Sequence, residues 1–224
     1  MLGAGEQAAV LANRDEAAAE VGGDGRAEDE AACLDAGDVG DAGAPRNLAM
    51  NLADQLVARI DWIDGHANVW RAFSDPALFR RLIAGLADPF RDTGITHVAG
   101  IEARGFILGA AVAADLGTGF VAIRKDGGLL PGPKHTGTTS PDYRGNATRL
   151  RLQQDALSPA DTVLLVDDWF ETGSQALAAV ALIERTGARY AGASIVVDQL
   201  QPAARRQLEP VRAVLRHDQL QPAS

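Results

Sequence analysis

Cysteine is almost absent: Cys33 is the only one in 224 residues. No disulfide can therefore form within the chain, and no zinc cluster can be built on thiolates. Nor is there an unbroken apolar run of the 18 or more residues that a membrane helix needs. The N-terminus, MLGAGEQAAVLANRDE, lacks a basic start followed by an apolar stretch, so it does not read as a signal peptide. Together these absences lead us to expect a cytoplasmic protein with no membrane partner. Histidine is sparse, and His66, His97 and His217 show no metal-ligand spacing, so they are assigned no chemistry. His135 falls in a polar loop, where it is either solvated or a donor to phosphate.

A basic surface is missing as well. The formal net charge is −9, but it is unevenly spread. Residues 1–46 hold eleven acids against three Arg, a net of −8, and the remaining 178 residues hold nineteen acids against eighteen Lys and Arg, a net of −1. The acidity belongs to the first segment, and the rest lacks the positive footprint that nucleic-acid binding requires. Residues 1–46 are rich in Ala, Gly, Asp and Glu and poor in aromatic and β-branched residues. Such a segment cannot bury enough surface to offset its ordering entropy, so we expect most of it to be disordered, with a folded domain over 47–224.

From Leu48 the pattern becomes periodic. LAMNLADQLVARI has helical spacing of apolar residues. Asp75-Pro76 then caps a second helix, with Gly94 beyond its end. THVAGI (96–101) is a short apolar run of strand length, followed by the helix GFILGAAVAADLG and the strand GFVAIRK. A stretch rich in Gly, Pro and Thr, from Asp126 to about Ala147, reads as loop. Strands at TRLRLQ and TVLLVDD, a helix from Gly173 to Thr186, a strand YAGASIVVD, a short helix PAARRQLEP and a last strand VRAVLR complete the order. Strand and helix alternating in this way predict an α/β fold, a mostly parallel sheet with helices on both faces. The strands lack two-residue alternation, as expected when both faces are buried. Ligands of such sheets bind beyond the carboxyl ends of the strands, which singles out the loops after Ile101, Lys125 and Asp167.

The last of these loops is the richest. Asp167 and Asp168 end an apolar strand, and Thr172-Gly173-Ser174 opens a helix. A helix start offers unpaired N–H groups and the positive end of its dipole, a setting for phosphate. Two acids beside it suit vicinal sugar hydroxyls, or a divalent cation. A strand-end Asp pair followed by an ordinary hydroxyl N-cap is the plainer reading of the same residues.

LLVDDWFETGSQ resembles the ribose-phosphate signature of the type I phosphoribosyltransferases: two acids, two apolar residues and a Thr-Gly turn. GIEARGFILGAAVAADLGTGFVAIRKDGGLLPGP (100–133) is similar to the Arg-Gly-Phe loop, helix, Ile-Arg-Lys strand and Leu-Pro-Gly-Pro loop of the adenine phosphoribosyltransferases in that family. The likeness runs from about residue 56 to 217 and implies the type I phosphoribosyltransferase fold, with a flexible hood loop. It also implies the reaction: ribose 5-phosphate passes from phosphoribosyl pyrophosphate to a purine-type base, with Mg²⁺ and release of pyrophosphate. The usual form of the family is a homodimer. A module on the same fold that senses phosphoribosyl pyrophosphate or a nucleotide without catalysis is the alternative.

By this resemblance Asp167 and Asp168 hold the ribose hydroxyls and, with substrate, the Mg²⁺. Thr172, Gly173, Ser174 and Gln175 wrap the 5-phosphate. Glu102, Ala103 and Arg104 form the pyrophosphate loop, often with a cis peptide, and Arg104 is its charge-matched donor. Residues 125–146 match the hood that closes over the site, bringing Lys125 and Lys134 to the pyrophosphate. Asp142 and Tyr143 fall where the adenine enzymes have Glu-Tyr, associated with proton handling. NVWRAFSDP (68–76) aligns with the base-contacting segment and places Val69 and Arg71 at the base. Trp62 and Trp70 could stack on a base or pack in the core.

The chain departs from the family at Gln175, which stands where a hydroxyl is usual, and at Glu171, which replaces a small neutral residue. In the hypoxanthine-guanine enzymes of the family the position of Glu171 is typically an Asp directed at the purine. An acid there can exchange a proton with a ring nitrogen. It can equally be an acid favoured by the helix dipole.

Overall fold

The computed structural model describes residues 50–141 and 147–220. The acidic segment 1–46, Asp142 and Tyr143 lie outside the described residues. Helix α1 (Leu52–Val57) starts on Asn51, whose side chain accepts from the Asp54 N–H at 2.8 Å. Strands β1 (Asp61–Ile63) and β2 (His66–Asn68) form a separate two-stranded hairpin, which the sequence reading missed. Its turn is Asp64-Gly65, both at positive φ, and Asp-Gly is a strong two-residue hairpin signal. After the short α2 (Trp70–Phe73), α3 (Pro76–Ala87) begins as expected on Asp75, whose carboxylate accepts from the Ala77 and Leu78 N–H groups at 3.1 Å.

Strands β3 (His97–Ile101), β4 (Gly119–Lys125), β5 (Lys134–Thr138), β6 (Arg149–Gln153), β7 (Thr162–Phe170), β8 (Arg189–Asp198) and β9 (Val211–Arg216) make a seven-stranded sheet in the order β5-β6-β4-β3-β7-β8-β9. The β4-β3-β7-β8-β9 stretch is parallel, and β5 and β6 extend it antiparallel beside β4. Between them lie α4 (Arg104–Leu116), α5 (Ser174–Arg185) and α6 (Pro202–Leu208). Successive strand residues enter opposite cores. Val98, Leu164 and Val166 pack with α3 and α4, whereas Ala99, Ile101, Val163 and Leu165 pack with α5. Burial on both faces explains the unbroken apolar runs. Because β3 leads to a helix on one face and β7 to a helix on the other, the connections part between them, where a crevice opens at the strand ends.

Two differences from the sequence reading bear on function. Part of the region read as loop is strand β5, paired along its length with β6 and held against α5, where Arg185 donates to the Thr136 carbonyl at 2.8 Å. Glycine at 137 permits this approach, since a Cβ there would meet Leu182 Cγ at 3.3 Å. Strand β7 also runs past the two acids, through Trp169 and Phe170.

The β3–α4 junction is closer still. A Cβ on Gly100 would lie 2.1 Å from the Gly105 carbonyl oxygen. One on Gly105 would lie 3.0 Å from Asp167 Oδ1. These glycines let the start of α4 rest directly on β3 and β7. Gly100→Ala is therefore expected to lower stability by about 1–3 kcal/mol through overpacking against backbone, read from urea denaturation midpoints. A loss below about 0.5 kcal/mol would show that the junction has slack.

Candidate active site

An open cleft of about 680 Å³ lies at the crevice. The β3–α4 loop brings Glu102, Ala103 and Arg104 to it, the end of β4 brings Lys125, and the β7–α5 connection brings Asp167 through Ala176. Thus the three loops singled out by the fold converge, and they carry most of the residues expected there. The Glu102–Ala103 peptide is cis.

Each part of the cleft has a local cause. Glu102 faces Arg124, whose Nη2 donates to Oε1 at 2.9 Å and Nε to Oε2 at 3.3 Å, while the Lys125 N–H donates to Oε2 at 3.0 Å. The Arg124 guanidinium holds this carboxyl below the usual range despite burial. Glu102 therefore braces the β3–α4 loop against β4, leaving backbone and Arg104 as what that loop offers a ligand. Arg104 reaches across to β7: its Nη1 is 2.8 Å from Asp168 Oδ2. The contact is off the line of an N–H, so Asp168 Oδ2, in a side chain only 8% exposed, has no hydrogen-bond partner among the described residues. Asp167 Oδ1 accepts from the Asp168 N–H at 2.9 Å. Burial first, and then the neighbouring Asp168 charge, push the Asp167 carboxyl well above its ordinary value.

Beyond the acids, Gly173 takes φ 78° and caps α5, ahead of the Ser174, Gln175 and Ala176 amides. A side chain at 173 would run into Leu200. Glu171, Thr172 and Gln175 are exposed along this rim. The Thr172 hydroxyl accepts from the Ser174 N–H at 3.3 Å, and the Ser174 hydroxyl donates to the Ser140 carbonyl at 3.1 Å. That bond ties the described end of the 125–146 region to the α5 turn. No group of three or more His, Cys, Asp or Glu among the described residues could cage a metal ion. The buried Asp168 Oδ2, which meets the Arg104 charge but accepts no hydrogen bond among the described residues, nevertheless fits, beside Asp167, a divalent cation held by one or two carboxylates together with a polyanionic ligand.

The structure corrects three placements. Val69 is 1% exposed and belongs to the core around α1 and α3, so it does not face the cleft. Arg71 points elsewhere, pairing with Asp61 at 3.0 Å. Lys134 sits at the start of β5 on the sheet edge and does not line the cleft, because pairing with β6 holds it there.

In place of Val69 and Arg71, the hairpin supplies Trp62, Gly65, His66 and Ala67, joined by Trp169, Gln199 and His217. Trp62 and Trp169 meet edge to face at 6.2 Å, and His217 lies 6.1 Å from Trp62 and 5.6 Å from Trp169. Trp62 Nε1 donates to the Leu220 carbonyl at 3.4 Å, which anchors the hairpin to the turn His217–Leu220. In the sequence only Trp62 stood out as a stacking candidate, and the rest of the wall was not legible because its members come from four separate segments.

The raised Asp167 carboxyl sets a pH dependence. Its folded-state value lies above the unfolded one, so between about pH 4 and that raised value the folded chain binds more protons than the unfolded chain, and stability falls as pH rises. Asp167→Asn is therefore expected to raise the melting temperature at pH 8 and to leave it nearly unchanged near pH 4. Equal shifts at the two pH values would contradict the assignment.

The model of the phosphoribosyl transferase domain family matches residues 70–218. The chain is 46% identical over 145 residues to adenine phosphoribosyltransferase of Dinoroseobacter shibae, covering 63% of this chain and 78% of that one. It is 40% identical over 172 residues to that of Rhizobium johnstonii, covering 74% and 94%. Among solved structures, adenine phosphoribosyltransferase of Rhodothermus marinus superposes with TM-score 0.67 at 31% identity, over 74% of this chain and 98% of that one. The Giardia lamblia enzyme complexed with 9-deazaadenine gives 0.67 at 32%, over 75% and 98%. By its motifs, its sheet order and these likenesses, the chain belongs to the phosphoribosyl transferase family.

Proposed function

We propose that the chain transfers ribose 5-phosphate from phosphoribosyl pyrophosphate to a purine base, with adenine the base named by its relatives, and releases pyrophosphate. The observation that carries this reading is the joining of an acid pair with Asp168 buried, one arginine and one helix N-terminus in a single cleft. The spacing of these groups along β7 and into α5 follows a sugar phosphate. Ribose hydroxyls donate to Asp167 and Asp168, and the 5-phosphate takes the amides from Thr172 to Ala176, where dipole and unpaired N–H groups favour an anion. Arg104 and Lys125 face the pyrophosphate from the opposite side. A ligand there draws Arg104 away from Asp168 as the sugar hydroxyls arrive to replace it.

Asp167 and Asp168, together with the substrate, would hold a magnesium ion, which when bound would supply positive charge for the departing pyrophosphate. Glu171, at the rim between phosphate turn and aromatic wall, exchanges a proton with the base as the new glycosidic bond forms. Residues 125–146 act as the hood, excluding water from a centre that gains oxocarbenium character. Asp142 and Tyr143 complete it in this reading. The working form in this proposal is a cytoplasmic homodimer, on the strength of the family resemblance.

Calorimetric titration with phosphoribosyl pyrophosphate and Mg²⁺ tests the donor side. Binding is expected, weakened at least tenfold in Asp168→Asn, since hydrogen bonds to a charged group contribute roughly 1.5–3 kcal/mol. No heat with the unaltered chain would overturn the proposal. For the acceptor side, Glu171→Ala is expected to lower kcat by roughly 10²-fold or more with little change in donor affinity. Tighter donor binding at unchanged kcat would reduce Glu171 to a charge near the phosphate.

A further inference from the structure

We propose that Arg151 is a positioning residue: its guanidinium fixes the backbone of Lys125 and the loop that follows, and so aims the Lys125 ammonium into the cleft beside Arg104. The role holds only if the cleft is the transferase site, and it belongs to a side chain that does not itself line that cleft.

Strand β6 has two unlike faces. Leu150 and Leu152 are buried in the core that includes α5. Successive side chains of a strand point to opposite faces, so Arg149, Arg151 and Gln153 take the other one. All three reach the loop from Asp126 to Pro133. Gln153 Nε2 donates to the Pro131 carbonyl at 3.2 Å, and Arg149 Nη1 lies 3.9 Å from Asp126 Oδ2. Arg151 makes the most contacts. Its Nη2 donates to the Lys125 carbonyl at 3.0 Å and to the Gly128 carbonyl, while its Nε lies 3.5 Å from Asp126 Oδ1. From β4, Arg124 adds a donor to the Leu129 carbonyl at 2.8 Å.

The Arg151 side chain is only 15% exposed. A guanidinium kept this far from water costs desolvation, which its carbonyl partners and Asp126 offset. The loop needs those donors in turn. It contains Gly127, Gly128 and Gly132, the first and last at positive φ, and glycine loses more freedom on ordering than any other residue.

Lys125 stands where these contacts meet. On one side its N–H donates to Glu102 Oε2 at 3.0 Å, and on the other its carbonyl accepts from Arg151. The peptide groups flanking its Cα are thus both tied, one to the β3–α4 loop and one to β6. With both held, the direction in which the side chain leaves is set, and it enters the cleft that Arg104 also lines. A lysine is a point charge on a flexible stem, so its grip on an anion depends on a fixed root. Without the Arg151 fork, the second peptide and the glycine loop are released together, and the ammonium spends less time where the pyrophosphate lies.

A double-mutant cycle separates this role from a general loss of structure. The unaltered chain, Arg151→Met, Lys125→Met and the double variant would each be titrated calorimetrically with phosphoribosyl pyrophosphate and Mg²⁺. Arg151→Met keeps an apolar stem and removes the donors. Each single variant is expected to bind about tenfold more weakly. The double variant is expected to bind no more than about twofold more weakly than Lys125→Met alone, since Arg151 acts through that lysine. Arg151→Lys, which keeps a charged donor but not the fork, is expected to recover part of the affinity. Circular dichroism would verify folding. If Arg151→Met proves unfolded, Arg151→Lys takes its place in the cycle, with a loss of about threefold expected. Unchanged affinity in either single variant, or losses that multiply in the double variant, overturns the role of Arg151 and leaves the transferase reading intact. No heat with the unaltered chain defeats both.

Discussion

The contact between Arg104 and Asp168, 2.8 Å across the cleft floor, joins the two loops on which everything else depends. One follows β3 and the other ends β7, and their helices cover opposite faces of the sheet. The glycine contacts at 100 and 105 bring the start of α4 within reach of β7. Without that approach Arg104 would sit too far out to meet the acid pair. The balance of charge is also set here. Of two adjacent carboxylates only Asp168 meets the arginine, and burial first, then the neighbouring Asp168 charge, raises the Asp167 carboxyl. A cleft that concentrates negative charge on its floor and offers cations and amides around it is suited to a ligand with hydroxyls in the middle and anions at both ends.

Much of this was legible in the sequence, for a physical reason. Residues 163–166 are apolar because both faces of β7 are buried, so the first acids, Asp167 and Asp168, mark where the strand reaches the crevice. Thr172 and Gly173 mark the turn because only a residue tolerant of positive φ enters α5 there. Asp75-Pro76 set the start of α3 through capping that acts over three residues. Each of these signals is local, and each survived folding.

The failures are non-local. Val69 has an apolar side chain that suits a base or a core equally, and only the packing of α1 and α3 around it decides for the core. Strand β5 has Gly and Thr where a loop is expected, and its strand character comes from pairing with β6 and contact with α5. His217 gains meaning only when the turn His217–Leu220 closes on Trp62, more than 150 positions earlier in the chain. The donor half of the cleft is thus written in contiguous motifs, and the acceptor half is assembled from scattered single residues. That division explains why the reaction type is readable before the base.

The account stands on the chemistry of the cleft as a whole, and the most direct measurement is release of pyrophosphate by the unaltered chain supplied with phosphoribosyl pyrophosphate, Mg²⁺ and adenine. Pyrophosphate appearing in step with adenosine monophosphate, and ceasing when the base is withheld, is the result expected. Firm donor binding with no pyrophosphate released for any purine would contradict the account and leave a cleft that binds without reacting.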